Sequence, residues 1–223
     1  MTARADGGNL STELGGDLDR SAELATHWDS VYGTKGPSAV SWFQRDPVVS
    51  LEMIASAKLG AGGSVLDVGG GTSFLVDRLL DLGYRAGVLD LSAIALAMTK
   101  VRLGSRADQV EWFVGDVLTF ESPHGWDLWH DRAVFHFLTS SRDRRSYWTV
   151  AGQCLAPGGT AVVATFGPNG PERCSGLATV RYRPEELLRE AGEGFALVDT
   201  AVENHLTPGG VAQEFVYVAL RRV

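Results

Sequence analysis

Apolar positions repeat along this chain with two alternating periods. From Ala22, Leu24, Trp28, Val31 and Tyr32 fall at helical spacing and form one stripe, which Gly33 and Gly36-Pro37 interrupt. A second helix is predicted over 47–58, with Val48, Leu51, Ile54 and Ala55 facing inward and Gly60 and Gly62-Gly63 closing it. Residues 1–20 are rich in Gly, Asp, Ser and Thr with little to bury, and predict a flexible tail. Beyond residue 63, short apolar runs alternate with helical patterns. Strands are predicted at 64–68, 86–89, 110–114, 127–130 and 160–166, then at 195–202 and 214–220. The predicted helices cover 74–82, 92–103, 140–155 and 184–191. Ser92 is a natural N-cap, Ser140 or Ser141 caps the next helix, and Pro184 suits a first helical turn. Residues 167–176, rich in Gly and Pro, read as a loop. Strands separated by helices with short connections predict an α/β, three-layer, doubly wound sheet with helices on both faces. One domain over 21–223, with a helical cap at 21–60, accounts for the whole pattern.

Composition narrows the partners. The chain has 223 residues, a net charge of -7 and 44% hydrophobic residues. An acidic chain with a single short basic run, 142–145, is a poor match to nucleic acid, because phosphate neutralisation dominates that affinity. Two cysteines, Cys154 and Cys174, make no disulfide framework and suit a reducing cytoplasm. No apolar stretch reaches membrane-spanning length, and no signal segment is visible. No cysteine or histidine spacing suggests a metal clip.

The chemistry concentrates at strand ends. The first predicted strand runs into Gly69-Gly70-Gly71-Thr72-Ser73 and then a helix, so bare backbone and free helix N–H groups meet at one turn. Such a turn also serves simple helix–strand packing. Three acids distinguish this one: Asp67 lies two residues before the glycines, Asp90 ends the second strand and Asp116 follows the third. In an open α/β sheet those tips converge on one cleft. Asp90 can accept from ribose hydroxyls and Asp116 from an adenine amino group. A nicotinamide dinucleotide would use the same turn, but its pyrophosphate is anionic and poorly served by Asp67. The third fingerprint glycine is also replaced, by Phe74. S-adenosylmethionine, with an ammonium and a sulfonium, fits an acid there.

The segments 65–71, Leu89-Asp90, Gly115-Asp116-Val117 and 126–132 resemble, in order, the four motifs of class I S-adenosylmethionine-dependent methyltransferases; the likeness spans about residues 25–223. Ser73 stands where that family usually has the loop's third glycine. The resemblance implies a seven-stranded sheet whose last strand is antiparallel. It also implies a cofactor site of Asp67, Gly69, Gly70, Gly71, Thr72, Asp90, Leu91, Asp116, Val117 and His130. The segments 27–32 and 41–43 resemble the aromatic cap of small-molecule and lysine-directed members, which makes Tyr32 and Trp42 expected walls. Trp28, Phe43 and Trp112 are further wall candidates, with Trp126, Trp129 and Trp148 assigned to the core.

Methyl transfer from a sulfonium needs alignment, and a base only if the nucleophile arrives protonated. Asp131 and His136, just after the fourth strand, are the candidate bases; Asp131 otherwise caps a turn and His136 otherwise packs in the core. Cys174 and His205 are either acceptor contacts or structural. The expected activity is methylation of a small molecule at oxygen, nitrogen or sulfur, with a protein lysine methyltransferase and a non-catalytic cofactor-binding scaffold as alternatives. The acceptor and the oligomeric state stay open.

Overall fold

A computed structural model describes the backbone of residues 10–223 and the side chains of residues 19–223. The first helix, α1 (Leu10–Lys35), begins inside the segment expected as a tail; residues 1–9 of that segment lie outside the described residues. Next comes α2 (Val48–Ser56), followed by β1 (Ser64–Val68), α3 (Leu75–Asp81), β2 (Arg85–Asp90), α4 (Ala93–Leu103) and β3 (Val110–Val114). The second half holds β4 (Trp126–Arg132), α5 (Ser141–Cys154), β5 (Leu155–Phe166), β6 (Arg173–Cys174), β7 (Leu177–Ala178), α6 (Pro184–Ala191), β8 (Phe195–Leu206) and β9 (Ala212–Arg222).

Seven strands form one sheet in the order β3-β2-β1-β4-β5-β9-β8. The pairings from β3 through β5 are parallel, and β9 runs antiparallel to both of its neighbours. The expected seven-stranded α/β architecture with an antiparallel last strand is therefore what forms. Strand alternation sends successive side chains to opposite faces. Leu66 and Val68 of β1, Ala161 and Val163 of β5, and Val216, Val218 and Leu220 of β9 pack into one core with residues of α5 and α6. Val65, Val162, Ala164, Tyr217 and Ala219 pack into the other with α2, α3 and α4. Both faces are covered, which is why these strands read as continuous apolar runs rather than alternating ones.

Local signals act where they should. Ser92 Oγ accepts from the Ala95 amide at 3.0 Å, and Ser140, not Ser141, caps α5 by accepting from the Asp143 amide at 3.2 Å. Gly87, inside β2, has a physical reason to lack a side chain: a Cβ there would lie 2.4 Å from the Trp126 ring. The expected loop at 167–176 is not wholly irregular. Ser175 and Gly176 both take positive φ and turn β6 back into β7 as a two-residue hairpin. Asp29 of α1 accepts from Ser92 Oγ at 2.6 Å and from the Ile94 amide at 3.3 Å, tying the cap to the start of α4. Among the described residues no helix is long and apolar enough to cross a membrane.

Candidate active site

The carboxyl ends of β1, β2, β3 and β4 open into a cavity of about 320 Å³. Its β2–β3 side is formed by Leu89, Asp90, Leu91, Asp116, Val117 and Leu118. Its far side lies between α1, the turn after β4 and the β6–β7 hairpin, where Trp28, Trp42, Phe137, Cys174, Leu177 and Ala178 contribute. A second cavity of about 40 Å³ lies beside the glycine turn, lined by Asp67, Gly69, Gly70, Thr72 and His130. Gly69, Trp42 and Arg132 line both.

The glycine turn is bare because nothing larger fits. Gly69 has φ +64, and a Cβ on it would sit 2.1 Å from Val134; one on Gly70 would sit 2.7 Å from Asp67 Oδ2; one on Gly71, at φ +44, would sit 2.6 Å from the Tyr32 hydroxyl. Asp67 is 3% exposed. Its Oδ1 accepts from His130 Nδ1 at 2.7 Å, while its Oδ2 is buried without a partner. His130 Nε2 lies 3.0 Å from the Ser50 hydroxyl, which donates to it when the ring is neutral and protonated at Nδ1. A buried carboxylate oxygen with no donor is costly in isolation, and it marks the position where a ligand cation would be satisfied.

Asp90 is buried at the cavity wall. Its Oδ1 accepts from the Ser92 amide at 2.7 Å. Burial, with Asp67 nearby, pushes its carboxyl up to about 7, and the amides of Ser92 and Gly71 offset only part of that rise. Burial and the same Asp90 charge raise the Tyr32 phenol far above its ordinary range, so it stays a neutral donor. Asp116 turns one oxygen to the Leu118 amide at 2.9 Å and remains on the cavity wall.

Residues 66–161 match the family model of a methyltransferase domain. The sheet order built around those residues is that of the class I methyltransferase fold. Solved structures share its fold at low sequence identity. One is an S-adenosylmethionine-dependent methyltransferase from Anabaena variabilis, with a TM-score of 0.73 at 12% identity, covering 91% of this chain and 95% of that one. Another is the 1,6-didemethyltoxoflavin-N1-methyltransferase of Burkholderia thailandensis, bound to 1,6-didemethyltoxoflavin and S-adenosylhomocysteine. Its TM-score is 0.66 at 20% identity, covering 99% of this chain and 94% of that one. A third, from work on the conversion of a disulfide bond into a thioacetal group during echinomycin biosynthesis, has a TM-score of 0.71 at 17% identity, with 89% and 91% covered. Among curated proteins no sequence matches this chain.

The structure brings most of the expected site residues to the two cavities. Tyr32, Trp42, Gly69, Asp90, Leu91, Asp116 and Val117 line the large one; Asp67, Gly70, Thr72 and His130 line the small one. Gly71 lies between them, against Tyr32 and Asp90. The two candidate bases are not brought there. Asp131 is 0% exposed and turned to the opposite face of β4, accepting from Tyr147 Oη at 2.7 Å, the Val134 amide at 2.9 Å and the Phe135 amide at 3.1 Å. Burial pushes it up to about 6. It is the cap of the turn after β4. His136 is also fully buried, stacked 4.3 Å from Phe166 at 18°, and burial pulls its imidazole down to about 3. It is a core residue. Of the other wall candidates, Trp28 lines the large cavity and Phe43 the small one. Trp112 instead packs under Lys100 and donates to the Ala107 carbonyl. Trp126, Trp129 and Trp148 are core, as expected.

Two features escaped the sequence reading. Arg132 sits where the cavities meet, donating to the Trp42 carbonyl at 3.0 Å, to Tyr217 Oη at 2.9 Å and to Glu203 at 3.3 Å, with its guanidinium over Phe215. It anchors the Trp42 backbone to the sheet. The hairpin that carries Cys174, already a candidate contact, together with Leu177 and Ala178 to the cavity was not foreseen; the Ser175-Gly176 pair between short apolar runs was the available sign.

Proposed function

We propose that this chain is a methyltransferase that takes its methyl group from S-adenosylmethionine and delivers it to a small molecule held beneath the β6–β7 hairpin. The observation that carries the reading is a cavity with strand-tip carboxylates at one end and a roof of hairpin and cap residues at the other. The residues present fit the cofactor. The unpartnered Asp67 Oδ2 would meet the methionine ammonium, the glycine turn leaves room for the backbone to approach, Asp90 would accept from the ribose hydroxyls, and Asp116 would face the adenine amino group. Leu91 and Val117 would cover the adenine faces, Thr72 and His130 would shape the methionine end, and Tyr32 and Trp42 would close over it. When bound, the cofactor supplies a methyl on a sulfonium, a good leaving group. The protein's share is alignment and exclusion of water.

The toxoflavin-type and glycopeptide N-methyltransferases with the same fold support a small-molecule or peptide-natural-product acceptor. A lysine-directed enzyme would need an open groove for a protein chain, whereas Leu177 and Ala178 stand over this cavity. Two unpaired, buried cysteines support a cytoplasmic setting.

Calorimetric titration with S-adenosylmethionine tests the cofactor. Asp67→Ala and Asp90→Ala should each weaken binding at least tenfold, as loss of a charge-assisted hydrogen bond does. Unchanged affinity in both variants removes the assignment. An S-adenosylhomocysteine-release screen over phenols, amines, thiols and protein extracts then reads the acceptor class, and turnover confined to protein extract would replace the small-molecule reading.

A further inference from the structure

The far end of the large cavity is specific enough to narrow the acceptor, an inference that rests on the cofactor reading above. Three aromatic side chains meet there edge to face. Trp28 lies 5.2 Å from Phe137 at 67° and 5.7 Å from Trp42 at 86°. All three remain half-buried and line the cavity. Leu177 and Ala178 of the hairpin add apolar surface across from them. Such a chamber offers ring faces and aliphatic carbon to a ligand, and few polar partners.

Its ionisable groups are just as telling. Arg20 donates to Asp143 at 2.6 Å, and Arg132 is already committed to Trp42, Tyr217 and Glu203. The Cys174 thiol is raised by burial and stays neutral. None of the five histidines lines the large cavity. His130 is held between Asp67 and Ser50, His205 Nε2 is 2.7 Å from the Ser41 carbonyl, and His136 is in the core. His27, whose Nε2 is buried without a partner, stands behind the wall, edge-on to Trp28 at 5.1 Å. The carboxylates on the cavity wall, Asp90 and Asp116, come from the ends of β2 and β3, and each already accepts a backbone amide, of Ser92 and of Leu118. Among the described residues, then, those lining the cavity from α1, the turn after β4 and the hairpin offer ring faces and include no histidine and no carboxylate. An aliphatic alcohol needs a base to become a nucleophile, and a nitrogen with a free lone pair does not.

We propose that the acceptor is a flat, uncharged heteroaromatic molecule methylated at a ring nitrogen or ring-attached amine, with no enzyme base in the transfer. The nitrogen lone pair forms the new N–C bond as the C–S bond breaks, and that bond's electron pair stays on sulfur. The positive charge passes to the product nitrogen, where the faces of Trp28, Trp42 and Phe137 favour it. An N–H proton, where present, leaves to water afterwards.

The test uses the full-length protein saturated with S-adenosylhomocysteine and titrated with benzimidazole, followed by tryptophan fluorescence. Saturable quenching is expected, and Phe137→Ala should weaken it at least tenfold while calorimetric affinity for S-adenosylhomocysteine stays within twofold. Turnover is then compared for benzimidazoles of graded basicity and shape-matched naphthols and naphthylmethanols. N-methyl products should form, and the pH at which kcat/KM levels off should track each acceptor's own basicity, unchanged in His27→Phe. Faster methylation of the oxygen compounds, a pH break fixed across acceptors, or no quenching and no turnover with S-adenosylhomocysteine bound would each overturn the proposal. Failure of S-adenosylhomocysteine itself to bind would instead overturn the cofactor reading, and this proposal with it.

Discussion

Asp90 allows a quantitative test, because its burial destabilises the empty protein while serving a ligand. Its carboxyl rises from an ordinary 3.8 to about 7 in the fold, chiefly through desolvation. Below the unfolded value both states are protonated and nothing is lost. As pH rises past 3.8 the unfolded chain ionises while the folded one still holds its proton, so stability falls steadily until about pH 7 and then levels off. At about 1.4 kcal/mol per tenfold, the full cost above pH 7 is about 4 kcal/mol, against about 0.6 kcal/mol at pH 4. Asp90→Asn removes the ionisation but keeps an oxygen for the Ser92 amide, now accepted at 2.7 Å. Even if water relaxes half the penalty, the variant should gain about 2 kcal/mol at pH 8, a rise in Tm of about 4 °C or more for a chain of this size. The gain should nearly vanish at pH 4. Thermal melts at the two pH values, without cofactor, read it directly. A variant no more stable than wild type at pH 8 would refute the argument that this carboxyl is strained for want of a ligand.

Three further outcomes follow from the same geometry. If ribose hydroxyls donate to Asp90, its carboxylate form is favoured on binding, so S-adenosylmethionine titrated at pH 6.5 should release a proton; equal binding enthalpies in phosphate and Tris buffers would contradict this. Asp131→Asn cannot accept from Tyr147 and both turn amides at once, and should lower stability by about 1–3 kcal/mol while kcat per folded molecule stays within a few-fold; a large loss of kcat with normal Tm would restore Asp131 as a base. His136 titrates near 6.5 when unfolded and about 3 when folded, so its stabilising share is present above 6.5 and lost as pH falls. His136→Phe should therefore abolish about 2–3 kcal/mol of acid sensitivity between pH 7.5 and 4.5, and melts with equal pH dependence in both proteins would show that His136 is not held neutral.

The strand-tip side of the candidate site was legible because it is local. Asp67, Asp90 and Asp116 each sit at or just beyond the end of a strand that the apolar runs mark out, and neighbouring parallel strands place such tips together. Asp131 was misread through direction, not position. Along β4, Trp129 and Asp131 point to one face and Leu128 and His130 to the other, so the parity that sends Trp129 into the core also sends Asp131 to Tyr147. That alternation was available in the sequence. The other end was legible only in Trp28, Trp42 and Cys174, since Phe137 and Leu177 join them only through long-range folding, and Arg132 finds its partners 71 and 85 residues away.

The short β6–β7 hairpin has a consequence of its own. Its base is closed by the Thr179 amide on the Glu172 carbonyl, and its pairing involves no strand of the main sheet. Exchanging the exposed or half-buried residues of 173–178, with Cys174 kept for its place in the core, would therefore redraw that wall of the cavity while leaving the strand tips untouched. On the proposed function, a lineage or an engineer has in that short flap a dial for substrate choice.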